Sequence, residues 1–454
     1  MTQHYVIRGA QVLDFDIGDF SRQDLEIKDG EIKTILDPGK SVSDAESVNF
    51  QGHYIIPGLI DMHVHIKEGY APYFVAAGMT AVRNTGGNVH ELDALIQAKN
   101  DAPTPHVFST DRIIDGTPGL WGDTSPWNLN VTNEEEVTRE IERQVKAGAK
   151  FIKVYGRLPE QLMVHAVNEA RRFSLDVSCD LVHSNDVDAL SAAKWGVKWF
   201  EHASGIIQSI YSNWSMSAEQ SKWDLIPFHQ PDEEAIRDTC EKLLEYDAIL
   251  CPTMILFDQM NGYPNYWKPE HTLIQAIENN SNLMNQWQAI SQHEAALKPL
   301  ATQSKMNQRI AKVYADLGGK VVAGTDTPAG IYTWPGLALH RELELFVENG
   351  FSPLTALRAA TVDAADSIGL RHIGSIQSEN QADLVILNAN PLENIKHTKD
   401  IRYVIKGGRM YSQQEVFNEV PDDEEVFTNL RRFINSFNEE VNEDWYEDMI
   451  KEFS

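Results

Sequence analysis

The 454-residue sequence predicts an α/β fold in which a (β/α)₈ barrel of the TIM type is joined to a small β-sandwich domain. Short apolar runs alternate with helical stretches from Leu59 onward, as in parallel βα units. Strand-like runs precede this region and return after it, so the N- and C-terminal segments are expected to build the small domain together. A hydrophobic fraction of 42% allows the large core that a barrel requires.

The N-terminal segment has the pattern of several short strands. Residues 5–13 alternate between apolar and polar side chains, and two further runs flank Asp29-Gly30, which is a strong hairpin signal. After the barrel region, residues 381–387 and 401–405 again have strand character. We expect these late strands to join the early ones.

Eight short apolar runs between these segments are candidate barrel strands. Helical stretches separate them, and eight parallel strands with intervening helices close into a barrel. Two connections, residues 203–231 and 253–300, are long, which is typical of lids. Aromatic residues in the second connection either pack the lid itself or contact substrate. The candidate strands are residues 59–65, 81–84, 106–109, 151–155, 177–181, 199–201, 249–252 and 321–324.

These elements divide the chain into four parts. Residues 1–57 and 376–412 are expected to form the two parts of the small β domain, and residues 58–375 the barrel. Much of the acidity lies near the end of the chain. We expect residues 413–454 to be a solvated, acidic helical tail rather than an active surface.

The bulk properties exclude several classes of protein. A formal net charge of −28 argues against a nucleic-acid partner, which requires a basic patch. The N-terminus has no long apolar signal segment, and the longest uncharged run, residues 203–218, is too polar to span a membrane. Three cysteines without a Cys-x-x-Cys pair argue against a disulfide framework or a thiolate zinc site. We therefore expect a cytoplasmic protein without a membrane partner.

The sharpest motif is His63-Val64-His65, at the end of the apolar run that begins at Leu59. Successive strand side chains point to opposite faces, so the two imidazoles project on the same side. Two close imidazoles can bind one divalent ion. A solvated or core-satisfied pair is the commoner cause of an isolated His-x-His. Its position at the end of an apolar strand, after Pro-Gly, favours metal binding.

Four further polar residues, Lys153, His183, His202 and Asp326, end or interrupt apolar runs. A buried lysine without a partner is costly, so Lys153 needs one; a snorkelling side chain or a salt bridge is the alternative explanation. In a barrel, the strand ends deliver their side chains to one catalytic face. Six residues of suitable type at such places are difficult to explain by packing alone.

This pattern resembles the amidohydrolase superfamily over nearly all of residues 5–410. Within the superfamily, the chain is similar to the imidazolonepropionase-like and Xaa-Pro dipeptidase (prolidase-like) branch. Besides the His-x-His motif, the resemblance rests on Pro57-Gly58, Glu201-His202, Gly324-Thr325-Asp326, His340-Arg341-Glu342-Leu343, Ala359-Ala360-Thr361 and Ala382-Asp383-Leu384-Val385.

The resemblance implies two divalent metal ions, with zinc as the expected metal. His63, His65 and Asp326 would hold the first ion, and His183 and His202 the second. Lys153 would bridge both ions as a carbamate derived from CO₂, since a free ammonium cannot be a ligand and would repel the metals. Neutral imidazoles combined with anionic groups balance two divalent cations.

The sequence departs from the family pattern in two places. The strand-5 histidine of the family often belongs to a His-x-His, whereas His183 stands alone with Asp180 and Ser184 nearby, so the ligand can be offset. The acidic residue that usually follows the strand-2 arginine is replaced by Asn84, next to Arg83.

The implied reaction is hydrolysis of an amide or peptide bond by metal-activated hydroxide, with Asp326 as general base and then acid. A dipeptide or an N-acyl amino acid is the expected small-molecule substrate. Tyr155 and Arg157 lie just after Lys153, and arginine recognises carboxylates, although a surface role for Arg157 is the alternative. His340 either faces the pocket or packs. Formation of a homo-oligomer is left open.

Two other functions remain under consideration. A mononuclear cyclic-amide hydrolase or deaminase would be expected to have His-x-x-Glu on strand 5, whereas residues 183–186 contain no glutamate, and Lys153 would have no role. A non-catalytic relative on the same scaffold would be expected to have lost ligands, whereas six candidates are present here.

Overall fold

The computed structural model describes residues 4–441, apart from the side chains of residues 294, 296 and 423. The strands of this part form one mixed sheet of eight strands and two parallel sheets of seven and three strands. In chain order the strands are β1 (His4–Asp14), β2 (Asp19–Lys28), β3 (Glu31–Leu36), β4 (Glu46–Asn49), β5 (Tyr54–Pro57), β6 (Leu59–Val64), β7 (Met79–Asn84), β8 (His106–Ser109), β9 (Ile113–Asp115), β10 (Asn128–Asn130), β11 (Ile152–Tyr155), β12 (Val177–Asp180), β13 (Val197–Glu201), β14 (Ile249–Cys251), β15 (Lys320–Val321), β16 (Leu384–Leu387), β17 (Ile401–Lys406) and β18 (Arg409–Tyr411).

Helices follow most strands of the parallel sheets and cover them. None of the described helices combines the length and apolar character that crossing a membrane requires. Two short 3₁₀ helices, Glu68–Tyr70 and Ile395–Lys399, accompany the α-helices. The α-helices are α1 (Ala71–Ala76), α2 (Asp93–Ile96), α3 (Glu134–Ala147), α4 (Glu160–Arg172), α5 (Ala189–Trp195), α6 (Ile206–Ile210), α7 (Gln220–Trp223), α8 (Glu233–Leu244), α9 (Met254–Gly262), α10 (Thr272–Glu278), α11 (Ser281–Ser291), α12 (Glu294–Asp316), α13 (Leu337–Glu348), α14 (Pro353–Ala359), α15 (Val362–Ser367), α16 (Gln413–Phe417) and α17 (Asp423–Val441).

The mixed sheet joins the two ends of the described chain. Its order is β18-β17-β16-β5-β1-β2-β3, with β4 paired to β1. The N- and C-terminal strands meet where β5 and β16 pair antiparallel, with Ile55 opposite Ile386. The predicted hairpin between β2 and β3 is present, and its turn uses positive φ angles at Asp29 and Gly30. The two terminal segments thus share a single sheet, and a two-sheet sandwich is not confirmed.

The parallel strands overlap all eight runs that the sequence predicts, although the run 321–324 is a strand only at Val321, and β9 and β10 were not predicted. The order of the larger sheet is β10-β9-β11-β12-β13-β14-β15, and that of the smaller is β6-β7-β8. Among the described residues the two sheets do not merge into one closed sheet, because β15 ends at Val321. The residues that follow Val321 contact β6 only through single backbone hydrogen bonds. The Met62 amide donates to the Ala323 carbonyl at 2.9 Å, and on the other side the Lys150 amide donates to the Ser109 carbonyl at 2.8 Å.

The long connection after β14 contains α9 to α12, and its aromatic side chains pack with the loop that follows β15. The rings of Tyr266 and Tyr332 stack with centroids 4.1 Å apart, and the rings of Trp287 and Trp334 meet edge to face at 5.2 Å. The Trp287 indole donates to the Pro328 carbonyl at 2.8 Å. These aromatic residues therefore pack the connection itself and fix it beside the carboxyl ends of the strands.

The described part of the predicted acidic, helical tail contains α16 and α17, and α17 is not fully solvated but packs against the rest of the protein. Helix α17 buries the side chains of Phe433, Ile434 and Phe437, which recur at helical spacing within the acidic sequence and form an apolar stripe. The ring of Phe433 lies 6.2 Å from that of Trp127, and the Arg143 guanidinium lies over Phe437 at 5.2 Å. The rest of the predicted tail, residues 442–454, lies outside the described residues.

Candidate metal centre

Three side chains that are common metal ligands meet at the carboxyl end of β6. His63 belongs to β6, His65 follows its last residue, and Asp326 lies shortly after β15. Asp326 Oδ1 lies 3.0 Å from His63 Nε2 and 3.1 Å from His65 Nε2. One divalent ion can be held by three such atoms while a further position stays open to a reactant. The structure therefore brings together the three residues that the sequence suggests for a first metal.

Oxygen atoms behind the site fix both imidazoles. His63 Nδ1 lies 2.6 Å from Glu201 Oε2, and His65 Nδ1 lies 3.1 Å from the Gly86 carbonyl oxygen. A carboxylate and a carbonyl only accept hydrogen bonds, so both Nδ1 atoms donate. The two Nε2 atoms, which carry the lone pairs when the rings are neutral, face the anionic Asp326. Donor atoms arranged in this way fit a divalent cation between them.

His202 repeats this arrangement directly after β13. Its Nδ1 lies 2.7 Å from Thr253 Oγ1, and the Thr253 hydroxyl already donates to the Pro252 carbonyl at 2.8 Å. Nδ1 is therefore a donor, and Nε2, which carries the lone pair when the ring is neutral, faces Asp180 Oδ2 at 3.4 Å. The ring centroids of His63 and His202 are 4.8 Å apart, so the two groups of side chains are adjacent.

Lys153 lies in β11, and its Nζ is buried without a hydrogen-bond partner in the described part of the chain. Burial alone would raise the pKa of the nearby Asp180 carboxyl, but His202 and the Lys153 charge lower that pKa to about 2. An ammonium group that is removed from water and makes no hydrogen bond is costly. The unsatisfied Nζ therefore fits a lysine that carries a further group.

His183 is less closely placed than the other predicted ligands. Strand β12 ends at Asp180, and His183 lies beyond it in a turn with its side chain partly exposed. Burial lowers the pKa of this imidazole; the Asp180 charge raises that pKa, whereas the charges of Arg157 and His202 lower it. Within the described chain, neither His183 nor His202 belongs to a group of three or more candidate ligand atoms that lie within 4.8 Å of one another.

Glu201 connects the site to the strands around it. Its Oε1 accepts hydrogen bonds from Arg83 Nη2, at 2.6 Å, and from the Ser178 hydroxyl, while Oε2 holds His63. Burial alone would raise the pKa of the Glu201 carboxyl, but Arg83 and Lys153 hold it well below its usual range. Glu201 is therefore a buried anion that orients one predicted ligand and neutralises a buried arginine.

Two predicted ligands have backbone conformations that are uncommon for residues other than glycine. The φ angles of His202 and Asp326 are 61° and 62°, in the left-handed region. Such positions need support from their surroundings. Asp61 accepts hydrogen bonds from the amide and hydroxyl of Thr325, at 3.1 and 2.7 Å, and Asn307 donates to the His202 carbonyl at 2.7 Å.

Tyr155 and Arg157 lie on the same side as the cluster but differ in exposure. Tyr155 is buried, and its pKa is raised well above the usual value by burial and by the charges of Asp180 and Asp326. Arg157 is exposed, and its Nη1 donates to the Gly119 carbonyl at 3.0 Å. Tyr155 is thus close to both carboxylates, whereas Arg157 anchors the loop that precedes β10.

The structure does not bring His340 to the cluster. Its Nδ1 lies 2.9 Å from Thr398 Oγ1, and its Nε2 lies 2.9 Å from the Ala77 carbonyl oxygen, so both ring nitrogens are engaged within the fold. We therefore remove His340 from the predicted substrate residues. Asn84, whose role the sequence left open, accepts the Ile66 amide at 2.8 Å and so fixes the segment after His65.

Three residues that shape the site were not predicted as members of it. Asp180 ends an apolar strand run as Asp326 does, so that signal was present in the sequence. Asp61 shares a strand face with His63 by simple alternation. Glu201 was recognised only as part of a motif, because its partner Arg83 is remote in the sequence and only the folded chain brings them together.

Comparison with known proteins identifies the family of the chain. A model of the amidohydrolase family matches residues 54–411 of the chain. The match covers well over half of the sequence, so the chain belongs to the amidohydrolase family, a family of hydrolases that act on carbon–nitrogen bonds. The superfamily predicted from the motifs is thereby confirmed.

Individual relatives are more distant. The ochratoxinase of Aspergillus niger is 27% identical over 330 residues, which cover 68% of this chain and 55% of the relative. The chain thus spans about half the length of the ochratoxinase relatives that it matches. A solved Xaa-Pro dipeptidase with methionine in its active site is 20% identical, with a TM-score of 0.67 and coverage of 90% of this chain and 100% of that one. The A. niger ochratoxinase structure is 20% identical, with a TM-score of 0.63 and coverage of 90% and 96%. At these identities, the structural likeness establishes the fold alone.

The ion pair behind the site yields a stability prediction. Glu201→Gln keeps the size of the side chain but leaves the Arg83 guanidinium buried without its counter-ion. We expect the free energy of unfolding of the metal-free protein to fall by about 3 kcal/mol in urea titrations. The matched control is Ser178→Ala, which removes a hydrogen bond to the same carboxylate and should cost only about 1 kcal/mol. Equal losses for the two variants would contradict the role assigned to the Arg83–Glu201 pair.

Proposed function

We propose that this chain is a metal-dependent hydrolase that cleaves an amide or peptide bond in a dipeptide or an N-acyl amino acid. The observation that carries the proposal is the arrangement of His63, His65 and His202. In each ring Nδ1 is used as a donor, and the Nε2 lone pair faces a carboxylate. Cations between these groups would satisfy the imidazoles and the carboxylates at once.

The proposal includes a closed barrel as the scaffold. We infer that the two parallel sheets are parts of one (β/α)₈ barrel formed by residues 58–375. The segments before and after the barrel in the chain form the mixed sheet, which is the small β domain. The backbone bonds that join β6 to Ala323 and β8 to Lys150 support this inference. In such a barrel the strand ends that carry the cluster form the catalytic face.

For the first metal, the proposed ligands are His63, His65 and Asp326. For the second, they include His202. Lys153 is proposed to join both as a carbamate: its amine adds to CO₂ and releases one proton. The buried Nζ without a hydrogen bond supports this assignment, since an anionic carbamate removes the conflict between an ammonium and two cations.

In the proposed reaction, divalent ions held by these residues supply an acidified water and a positive charge beside the carbonyl oxygen of the scissile bond. Asp326 accepts the proton of the attacking water and passes it to the leaving nitrogen, as general base and then acid. Glu201 keeps the His63 ring in its ligand orientation. The buried side chain of Tyr155 is close to Asp326. We place Tyr155 nearest the substrate.

The substrate class rests on the relatives and on the mouth of the site. One structural relative is a Xaa-Pro dipeptidase with a bound amino acid, and another is an ochratoxinase. In this chain the largely exposed Trp121 meets the Tyr155 ring edge to face at 6.3 Å, on the loop that Arg157 anchors. An exposed aromatic side chain and a guanidinium close to Tyr155 would suit a substrate with an apolar group and a carboxylate.

The bridging role of Lys153 predicts the metal content. Wild-type protein prepared with ample zinc and bicarbonate should contain close to two divalent ions per chain by elemental mass spectrometry. Lys153→Ala should lose at least one ion together with activity, and acetate or propionate should partly restore both by filling the vacated position.

The matched control is Lys198→Ala, because Lys198 lies on β13 but pairs with Asp176. This control should keep both ions. A reproducible wild-type content of one ion or less would contradict the binuclear proposal and favour the mononuclear alternative. Full metal content and activity in Lys153→Ala would contradict the bridge.

The proton-transfer role of Asp326 predicts a large loss of turnover. Asp326→Asn keeps a similar shape but cannot accept the proton, so the turnover number should fall by about 10²–10⁴. A library of dipeptides and N-acyl amino acids, screened with wild-type protein, supplies the substrate for the assay. The exposed Asp93, changed to Asn, is the control and should retain the wild-type rate. An Asp326→Asn variant with wild-type turnover would exclude this mechanism.

A further inference from the structure

Asp180 occupies the last position of β12 and is buried, with 6% of its surface exposed. It lies opposite Tyr155 in the pairing of β11 with β12, and Lys153 lies opposite Ser178. Asp180 and Lys153 therefore project from neighbouring strands near the same end of the sheet. His183 lies beyond the strand end, in a turn, with its side chain partly exposed.

The Asp180 carboxylate is related to His202 as Asp326 is related to His63. Asp180 Oδ2 lies 3.4 Å from His202 Nε2, and that ring donates its Nδ1 proton to Thr253. An imidazole Nε2 thus faces a buried carboxylate at both places. The charges of Asp180 and His202 both shift the pKa of His183, but among the described residues the ion pair with His202 is formed by Asp180 and not through His183.

We propose that Asp180, rather than His183, is the β12 ligand of the second metal, together with His202 and the carbamate of Lys153. This inference rests on the proposed function, and it replaces an imidazole by a carboxylate at a position where the motif-based analysis places a histidine. His183 is then a residue of the turn beside the site.

A carboxylate ligand from Asp180 instead of an imidazole from His183 makes the site of the second metal more negative and its ligand set harder. Asp326 and the Lys153 carbamate supply two anions to the pair of metals, and Asp180 adds a third, whereas His183 would add none. A second position with one imidazole and mostly oxygen ligands accepts harder ions such as Mn²⁺. The first position, with His63 and His65, keeps the imidazole-rich set that suits Zn²⁺. The two positions should therefore differ in metal preference.

Metal stoichiometry separates the two assignments without any assay of activity. Full-length wild type, Asp180→Asn and His183→Gln are dialysed against Zn²⁺ or Mn²⁺ with bicarbonate, and bound metal is counted by elemental mass spectrometry. We expect two ions for wild type and for His183→Gln, and one ion for Asp180→Asn. Loss of one ion from His183→Gln, with two ions retained by Asp180→Asn, would overturn the assignment.

If circular dichroism shows that Asp180→Asn does not fold, a third variant, Asp180→His, still tests the assignment. An imidazole at this position should retain the second ion and raise its preference for Zn²⁺ over Mn²⁺ by about tenfold or more. An unchanged preference would overturn the assignment. A wild-type content of one ion would contradict the binuclear proposal itself, whereas two ions in both wild type and Asp180→Asn would contradict only the role of Asp180.

Discussion

The buried carboxylate of Glu201 is the interaction on which the candidate site depends. It receives Arg83 from β7, Ser178 from β12 and His63 from β6, so one anion ties three strands to β13. The Arg83 guanidinium lies over the rings of Phe151 and Trp199, at 5.2 and 4.9 Å, and cannot reach water. Since an unpaired buried charge is very unfavourable, these partners fix one another's positions and, through them, the orientation of His63.

A second constraint follows from this orientation. Once the Nδ1 atoms of His63, His65 and His202 are used as donors behind the site, their Nε2 atoms, which carry the lone pairs of neutral rings, face Asp326 and Asp180. Lone pairs and carboxylates facing each other are stable together when cations lie between them. The proposed chemistry is therefore a consequence of the hydrogen bonds behind the ligands as much as of the ligands themselves.

The sequence predicted the parallel strands and the cluster of His63, His65 and Asp326 because both have local signals. Periodicity marks the strands, and residues such as His63 and Asp326 end apolar runs. It did not predict the contacts made by His340, since the acceptors that engage its ring come from remote parts of the chain. The packing of helix α17 was missed because its acidic residues outnumber the few that it buries. His183 was predicted as a ligand because a histidine matched the expected motif, and Asp180, which is buried at a strand end, was not considered as a ligand.

The proposed role of Lys153 as an anion between two metal ions can be seen in a crystal structure of the zinc-loaded protein, with an anomalous difference map at the zinc edge. We expect two peaks about 3.5–4 Å apart, with electron density extending beyond Lys153 Nζ and contacting both. A single peak, with an unmodified Lys153 side chain directed away from it, would exclude the bridging carbamate.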